Sequence, residues 1–319
     1  MRLVVTGSSG FIGRNLLMWL QKQGYQDLVL PLRKAASESH PLPQATVIVD
    51  DFCSVEQWSE VLKAGDVVVH LAGLAHQSLP ATNADQLFFA ANVAPVKALA
   101  QAAVKCGVSQ ILFISSIGVN GSYSEKAITA TSETKPDYPY ARSKLLAEQT
   151  LADVCSGSIP YKILRIPLVY GADAPANFRD LLTLVSHKLP LPFGLVKARK
   201  SFIAIDHLVE VISRLIALDN NTDRCFVAAD RDTVSLSELI VLLSEGMGHR
   251  VINLPVPVRL LKIVLKLAGK TGLYQKLCLP LTVDATRTYE VLNWWPTSAA
   301  SEKLKAVATQ FSEKNSQAK

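Results

Sequence analysis

Short apolar runs alternate with amphipathic stretches along the first two thirds of the chain. Runs with the length of buried strands occupy residues 1–6, 27–30, 46–49, 66–71, 110–114, 162–166 and 225–229. Between them, apolar residues recur at helical spacing over residues 11–23, 55–63, 86–105, 140–152 and 206–218. This alternation predicts an α/β fold with a doubly wound parallel sheet and right-handed crossovers.

Three glycines at regular spacing follow the first apolar run. Gly7, Gly10 and Gly13 lie between the run and the amphipathic stretch that begins at Phe11. A glycine-rich turn lets the backbone approach a pyrophosphate, and free N–H groups at a helix N-terminus attract its charge. The pattern therefore predicts a Rossmann-type dinucleotide site. The alternative is a glycine-lined turn without a ligand.

The regular alternation loosens after Gly171. A helix at 177–187 is followed by a breaker with two prolines, and a capping box of Ser235 and Glu238 opens a later helix. We therefore expect residues 1–170, with a return segment at about 204–232, to form the dinucleotide-binding domain. Residues 171–203 and 233–319 are expected to form a smaller, mostly helical substrate-binding domain. Only the tail after Phe311 is expected to be disordered.

Composition excludes several function classes. The 319 residues have a formal net charge of +6 and 7% aromatic residues, and the basic residues do not cluster among aromatics, so we expect no nucleic-acid partner. No apolar run is long enough for a membrane span or a signal peptide, so stable membrane insertion is not expected. Five scattered cysteines without a CxxC pair predict reduced core thiols, a cytoplasmic location and no metal site.

Tyr140 and Lys144 are the first candidate catalytic pair. They open a predicted helix, and their spacing of four residues places both side chains on one face. A tyrosine has an unperturbed pKa of about 10, so it exchanges protons at neutral pH only when a nearby cation stabilises its phenolate. We expect the Lys144 ammonium, aided by a positively charged nicotinamide, to lower the pKa of Tyr140. The alternative is a surface tyrosine and lysine.

Ser115 and Ser116 end the fifth apolar run. In a parallel sheet, the carboxyl ends of the strands border the ligand crevice, where a hydroxyl can hydrogen-bond a substrate oxygen. These serines are candidates for that role, although strand-end serines also cap ordinary turns.

The order of these motifs resembles the extended short-chain dehydrogenase/reductase family, in its nucleotide-sugar epimerase, dehydratase and reductase branch. The resemblance continues through residues 165–171 and 201–209 and closes at 284–294. It implies that Tyr140 is the general acid/base, that Lys144 activates it and anchors the ribose, and that Ser116 rather than Ser115 contacts the sugar. A homodimer is expected by the same analogy.

The resemblance also implies two sets of binding residues. Asn177 and either Arg199 or Lys200 would contact the diphosphate of a UDP-sugar. The residues implied at the cofactor are Gly7, Gly10, Phe11, Ile12, Gly13, Asp51, Phe52, Leu71, Ala72, Asn92, Tyr140, Lys144 and Pro167.

The end of the second apolar run bears on which cofactor is used. NAD sites usually place an acid there, whereas this chain has Arg33 and Lys34 and no acid before Glu38. A guanidinium suits a 2′-phosphate. We therefore expect NADP(H) to be preferred, with NAD(H) as the alternative and Arg33 as a cofactor-binding residue.

That preference predicts a net reduction. The residues most resemble bacterial UDP-4-keto-sugar reductases, of the type that makes UDP-N-acetylquinovosamine for O-antigen. The alternative is a UDP-glucose or UDP-N-acetylglucosamine 4-epimerase with bound NAD, although many 4-epimerases have asparagine where this chain has Leu168. A lipid-linked sugar epimerase and a non-catalytic dinucleotide-binding regulator are less favoured.

A basic amphipathic stretch lies near residue 263. Arg259, Lys262, Lys266 and Lys270 recur at helical spacing among leucine, isoleucine and valine residues. Such a stripe is usually the solvated face of a packed helix, and the alternative is weak contact with an anionic membrane surface.

Overall fold

The chain was analysed as a computed structural model that describes residues 1–37, 40–75, 83–219, 222–269 and 271–317. The strands are β1 (Leu3–Thr6), β2 (Leu28–Leu32), β3 (Thr46–Ile48), β4 (Val67–His70), β5 (Gln110–Ser116), β6 (Tyr161–Ile166), β7 (Leu168–Tyr170), β8 (Arg199–Lys200), β9 (Phe202–Ala204), β10 (Cys225–Val227) and β11 (Val234–Ser235). The helices are α1 (Phe11–Lys22), α2 (Val55–Val61), α3 (Ala84–Asn92), α4 (Ala94–Cys106), α5 (Pro139–Cys155), α6 (Ala176–Ser186), α7 (Ile205–Ala217), α8 (Leu236–Gly246), α9 (Val258–Leu267), α10 (Thr271–Cys278), α11 (Thr286–Val291) and α12 (Ala300–Gln317).

Seven strands form one parallel sheet in the order β10-β6-β5-β4-β1-β2-β3. The order reverses between β1 and β4, where Thr6 pairs with His70 at the carboxyl ends of the two strands. The strands next to this point are buried throughout, which explains their unbroken apolar runs. The predicted Rossmann-type doubly wound sheet is confirmed.

The chain divides into two compact units that are each discontinuous. The first contains residues 1–119, 133–166 and 209–227, and the second contains 120–132, 167–208 and 228–319. Residues 120–132 lie in the second unit, whereas the sequence placed them in the first domain. The reason is backbone pairing, because Ile128 N donates to Thr282 O at 2.8 Å and Ser124 N to Pro280 O at 2.8 Å.

A buried lysine fastens the last segment of the first unit. Lys162, on β6, is 5% exposed, and its ammonium donates to Gln110 Oε1 at 2.6 Å. It also donates to the carbonyl oxygens of Leu215 at 2.9 Å and Leu218 at 2.5 Å, where α7 ends. These hydrogen bonds give the buried cation its acceptors, and they also give the free carbonyl groups at the C-terminus of α7 a donor.

One helical stretch is longer and less regular than the sequence predicted. Ala84–Cys106 is long and apolar enough to cross a membrane, by length and composition only, and 56% of its most apolar window is buried. A single helix was predicted over 86–105, but the structure breaks it at Val93. Pro95 has no N–H to continue the helical hydrogen bonds. Leu99 and Ala100 on α4 lie in the hydrophobic core, as in a core helix.

Two further expectations differ from the structure. The tail that was expected to be disordered continues α12 as far as Gln317. Cys53 is exposed and Cys106 and Cys225 are half-buried, so only Cys155 and Cys278 are core thiols.

Candidate functional site

The glycine turn after β1 is packed too tightly for side chains. Gly7 has φ of +71°, and a Cβ atom there would lie 2.8 Å from Ala72 N. A Cβ at Gly13 would lie 2.2 Å from the carbonyl oxygen of Gly7. The two glycines are therefore required by close backbone approach and, at Gly7, by a left-handed conformation.

The helix behind this turn begins without a side-chain cap. Gly10 is the N-cap of α1, so no capping side chain occupies the N–H groups of the first turn, where Phe11 and Ile12 lie. Gly10 N itself donates to Gly7 O at 3.0 Å. A glycine cradle followed by helix N–H groups and a positive helix end fits the pyrophosphate of a dinucleotide.

Two histidine side chains, His70 and His40, contact the strand end and the turn at Thr6 and Ser8. The Thr6 hydroxyl lies 3.0 Å from His70 Nδ1 and accepts a hydrogen bond from Ala72 N at 3.2 Å. His70 is fully enclosed, and desolvation with a smaller contribution from Lys144 lowers its pKa to about 3. On the other side, Ser8 Oγ lies 3.2 Å from His40 Nε2. Leu71 and Ala72 are therefore held against the turn by backbone and side-chain bonds.

Arg33 and Phe52 lie together beyond the second and third strands. The Arg33 guanidinium carbon is 5.3 Å from the centroid of the Phe52 ring, and this ring packs edge-on against Trp58 at 5.0 Å. Asp51 is exposed, and its carboxylate accepts a hydrogen bond from Cys53 N at 2.8 Å. The structure thus brings Arg33 and Phe52 into contact, with Asp51 as the neighbour of Phe52 in the chain. Glu38 lies outside the described residues.

The Asn92 side chain is buried and binds the loop that follows β4. It is 3% exposed, its Oδ1 accepts from Leu74 N at 2.6 Å, and its Nδ2 donates to Leu74 O at 3.1 Å and Ser143 Oγ at 2.9 Å. The resemblance placed Asn92 at the cofactor. In the structure its amide binds protein partners and joins the loop at Leu74 to helix α5.

Three hydroxyl groups meet at the end of β5. The Ser116 hydroxyl acts on both Tyr138 and Tyr140 by lowering the pKa of each phenol, and the two tyrosine rings stack with centroids 6.2 Å apart. Gly118 N also donates to Ser116 Oγ at 3.1 Å. The structure therefore brings Ser116 and Tyr140 together.

Sequence reasoning missed Tyr138. A Cβ atom at Gly118 would lie 2.1 Å from the Tyr138 hydroxyl, so the glycine leaves the space that this hydroxyl occupies. Tyr138 precedes Pro139 at the start of α5 and is the N-cap of that helix. The available signal was a second tyrosine two residues before the first, directly ahead of a helix-opening proline.

The two tyrosines are not acidified in this state. Desolvation raises the pKa of Tyr140, Tyr138 adds to the increase, and the Ser116 hydrogen bond opposes it. Desolvation likewise raises the pKa of Tyr138 to about 12. The surroundings of the phenol thus favour its neutral form, and Lys144 is not among the groups that shift the pKa of Tyr140 here.

Lys144 points its ammonium at the sheet. Nζ donates to Ile114 O at 2.6 Å and lies 4.0 Å from the centroid of the Phe113 ring. Desolvation lowers the pKa of Lys144 to about 7, and Glu148 one turn further along α5 opposes this shift. The group can therefore change its protonation state near neutral pH.

Ser115 has a different partner from Ser116. Its hydroxyl donates to the buried carboxylate of Glu148, which also forms a two-point ion pair with Arg165 at 2.7 Å. This ion pair is buried on both sides, and it joins α5 to β6. Ser115 is thus bound into the core, whereas Ser116 meets the tyrosines.

The residues implied at the diphosphate lie in the second unit. Asn177 is exposed near the start of α6, and Pro167 precedes β7. Arg199 pairs with Glu238 at 2.6 Å and bonds Thr233. Lys200 donates to Leu279 O at 2.5 Å, and desolvation lowers its pKa to about 8. Of the two neighbours on β8, only Arg199 is held by a carboxylate in the described part of the chain.

Comparison with characterised sequences gives matches along nearly the whole chain. UDP-glucose 4-epimerase of Vibrio cholerae is 32% identical over 322 residues, which cover 98% of this chain and 96% of that protein. N-acetyl-alpha-D-glucosaminyl-diphospho-ditrans,octacis-undecaprenol 4-epimerase of Escherichia coli O157:H7 is 24% identical, over 90% of this chain and 88% of that protein.

Solved structures agree on the fold. UDP-glucuronic acid 4-epimerase from Bacillus cereus in complex with NAD superposes with a TM-score of 0.76 and 20% identity, covering 98% of this chain and 99% of that one. The family model described as "NAD dependent epimerase/dehydratase family" matches residues 3–227, which include the glycine turn, Ser116, Tyr140 and Lys144. The chain belongs to the NAD dependent epimerase/dehydratase family.

Proposed function

We propose that this enzyme uses NADPH to reduce C4 of a UDP-linked 4-keto sugar, as in the conversion of UDP-4-keto-6-deoxy-GlcNAc to UDP-N-acetylquinovosamine for O-antigen or surface polysaccharide. The observation behind the choice of reaction is the Arg33 guanidinium, 5.3 Å from the Phe52 ring at the edge implied for adenosine. A cation at that position suits a 2′-phosphate, and NADPH is the natural donor for net reduction.

The chain's own hydroxyl groups would supply the proton. A reduced nicotinamide cofactor held at the glycine turn would supply the hydride for C4. Tyr140 donates its phenolic proton to the oxygen on C4, so the carbonyl becomes a hydroxyl and Tyr140 becomes a phenolate. Ser116 holds the sugar oxygen or the phenolate by hydrogen bonding, and solvent returns the proton. In the free protein the phenol of Tyr140 is neutral and carries this proton, because burial raises its pKa.

The residues proposed to bind the substrate are those that the family resemblance implies. Asn177 and either Arg199 or Lys200 would bind the UDP diphosphate. Arg199 is paired with the carboxylate of Glu238, whereas Lys200 is bonded to the carbonyl of Leu279. A carbonyl holds a cation less strongly than a carboxylate does, so Lys200 is the residue that would more easily move to a diphosphate.

The reaction is tested by adding UDP-4-keto-6-deoxy-GlcNAc and NADPH to the purified protein. We expect the absorbance of reduced nicotinamide to fall in proportion to the ketone that is added. The reductase assignment would be ruled out if the absorbance stays unchanged with this substrate and with other 4-keto sugar nucleotides.

The cofactor preference is tested with Arg33→Ser and the matched control Lys34→Ser. Removing a charge-assisted bond to the 2′-phosphate should weaken NADPH binding by about tenfold or more while leaving NADH binding nearly unchanged. The control should change neither. Equal weakening of both cofactors by Arg33→Ser would contradict the assignment.

A 4-epimerase with bound NAD is the second candidate. It is favoured by the 32% identity to a protein named UDP-glucose 4-epimerase over 98% of this chain. Protein that purifies with stoichiometric NAD⁺ and interconverts UDP-glucose and UDP-galactose without net oxidation would establish it. The relative named for an undecaprenol-linked sugar makes a lipid-linked substrate the next one to assay.

A further inference from the structure

Helix α9 leaves most of its apolar side chains outside the core. Leu261 is its only buried residue, whereas Leu260, Ile263, Val264 and Leu267 are between 49% and 84% exposed. These four follow the i, i+3, i+4, i+7 pattern, so they form one continuous stripe along the helix. The sequence had favoured a packed helix with a solvated basic face. The structure instead exposes an apolar face, and exposed apolar patches of this kind mark interaction sites.

The basic side chains of α9 lie on one side of this apolar stripe, and Arg259 and Lys266 are the ones next to it. Arg259, Lys262 and Lys266 are exposed, and Lys262 also reaches the ring of Tyr274 on α10 at 5.6 Å. Long cationic side chains at the border of an apolar stripe can keep their charges in a polar headgroup layer while the stripe enters the apolar layer. Lys270 lies outside the described residues.

The surrounding segment contains no acidic residue. Residues 246–283 have six Lys and Arg and no Asp or Glu, while the whole chain has 33 basic and 27 acidic residues. The entire formal excess of positive charge therefore lies in this one segment, and the rest of the chain is balanced. Such an asymmetry favours an anionic partner.

We propose that α9 is a docking surface for an anionic lipid bilayer, with Leu260, Ile263, Val264 and Leu267 entering the headgroup boundary. Each nearby cation adds to the attraction of an anionic leaflet, and the apolar stripe makes the contact depend on more than charge. A second copy of this chain is a poorer occupant, because a two-fold contact would bring the same cations together.

The proposal is tested with the full chain and sedimented vesicles of phosphatidylcholine alone or mixed with phosphatidylglycerol. We expect binding only to the mixed vesicles, with a loss at high salt. Ile263→Ser/Leu267→Ser should weaken binding at least about tenfold although the charge is unchanged. Arg259→Glu/Lys266→Glu should have a loss of similar or greater size.

The matched control is Lys97→Glu/Lys105→Glu, which changes net charge equally at two exposed positions on α4. It should keep most of the vesicle binding. Equal loss in the control would show a general charge effect and overturn the proposal, as would serine variants that bind normally. Absence of vesicle binding, with serine variants that change the oligomeric state, would identify a self-association surface and also overturn it.

Discussion

At the residue scale, Ser116 has to serve two tyrosines. Its oxygen already accepts a hydrogen bond from Gly118 N at 3.1 Å. A serine hydroxyl has one proton to donate and two lone pairs, so it can accept from one tyrosine and donate to the other. Tyr138 can therefore orient the Ser116 proton towards Tyr140, and the stacked rings keep the two phenols in this relation.

Phenylalanine substitutions separate the two roles. Tyr140→Phe removes the proposed proton donor, so kcat should fall at least about a hundredfold while the Kd of the cofactor is nearly unchanged. Tyr138→Phe keeps the ring stack and loses one hydrogen bond, so kcat should fall only about fivefold. Steady-state rates and calorimetric titration of the cofactor measure both.

The control for these variants is Tyr123→Phe, at an exposed tyrosine of the second unit. It should leave kcat unchanged. A loss for Tyr138→Phe as large as that for Tyr140→Phe would mean that the acid/base has been assigned to the wrong tyrosine.

Lys144 predicts a pH-dependent cofactor affinity. Its pKa is lowered to about 7 in the free protein, first by desolvation. Ribose hydroxyls that accept from the ammonium would raise this pKa, so binding above about pH 7 would take up a proton. Below that pH the Kd should be constant, and above it the Kd should rise by up to about tenfold per pH unit.

NADH is the probe for this titration, because it has no monoester phosphate that changes charge in the same range. Calorimetry in two buffers with different ionisation enthalpies counts the proton directly. Lys144→Met should give weaker binding with a flat profile. A flat profile in the unaltered protein would show that Lys144 does not hold the cofactor.

At the element scale, Asn92 joins three elements through one side chain. Its amide links the loop after β4 to α3 and, through Ser143, to α5. Asn92→Ala would leave the backbone groups of Leu74 without their partner. The free energy of unfolding should therefore fall by about 2–3 kcal/mol, measured by urea denaturation.

Asn83 on the same helix provides a matched control. It is the exposed N-cap of α3 and makes no capping hydrogen bond with its side chain. Asn83→Ala should change stability by less than about 0.5 kcal/mol. If both substitutions lower the free energy of unfolding equally, the proposed stabilising role of the Asn92 hydrogen bonds is wrong.

The sequence predicted those features that depend on local pattern. The strands and the glycine turn could be read because periodicity and glycine spacing act over a few residues. The break at Val93 also had a local signal in Pro95. The direction of the Lys144 ammonium could not be read, because a spacing of four residues fixes the helix face and not the end of a flexible side chain. The contact of Tyr138 with Ser116 depends on packing around Gly118.

At the scale of the whole molecule, α3 and α5 present a second exposed apolar surface. Phe89 is 48% exposed and Leu146 is 40% exposed, and both border a groove with Pro139. We propose that this surface pairs two copies of the chain, in line with the expected homodimer. Helix α5, which contains Tyr140 and Lys144, would then lie at the contact.

Phe89→Glu should convert the dimer to a monomer, because a buried unpaired carboxylate opposes association. Light scattering of the purified protein measures the mass. Leu189→Glu, at a 58% exposed leucine of the second unit, is the control and should remain dimeric. A monomeric unaltered protein would refute the pairing.

The Lys162 contacts also bear on how the protein is made. Two of the three acceptors of the Lys162 ammonium are the carbonyl oxygens of residues 215 and 218. Strand β10, later in the chain, pairs with the edge of β6. A nascent chain that has emerged only to residue 170 therefore has one of the three acceptors of this cation, Gln110, and an open strand edge. Such a fragment should aggregate when it is expressed alone. The first unit is finished only after the ribosome has delivered more than fifty further residues.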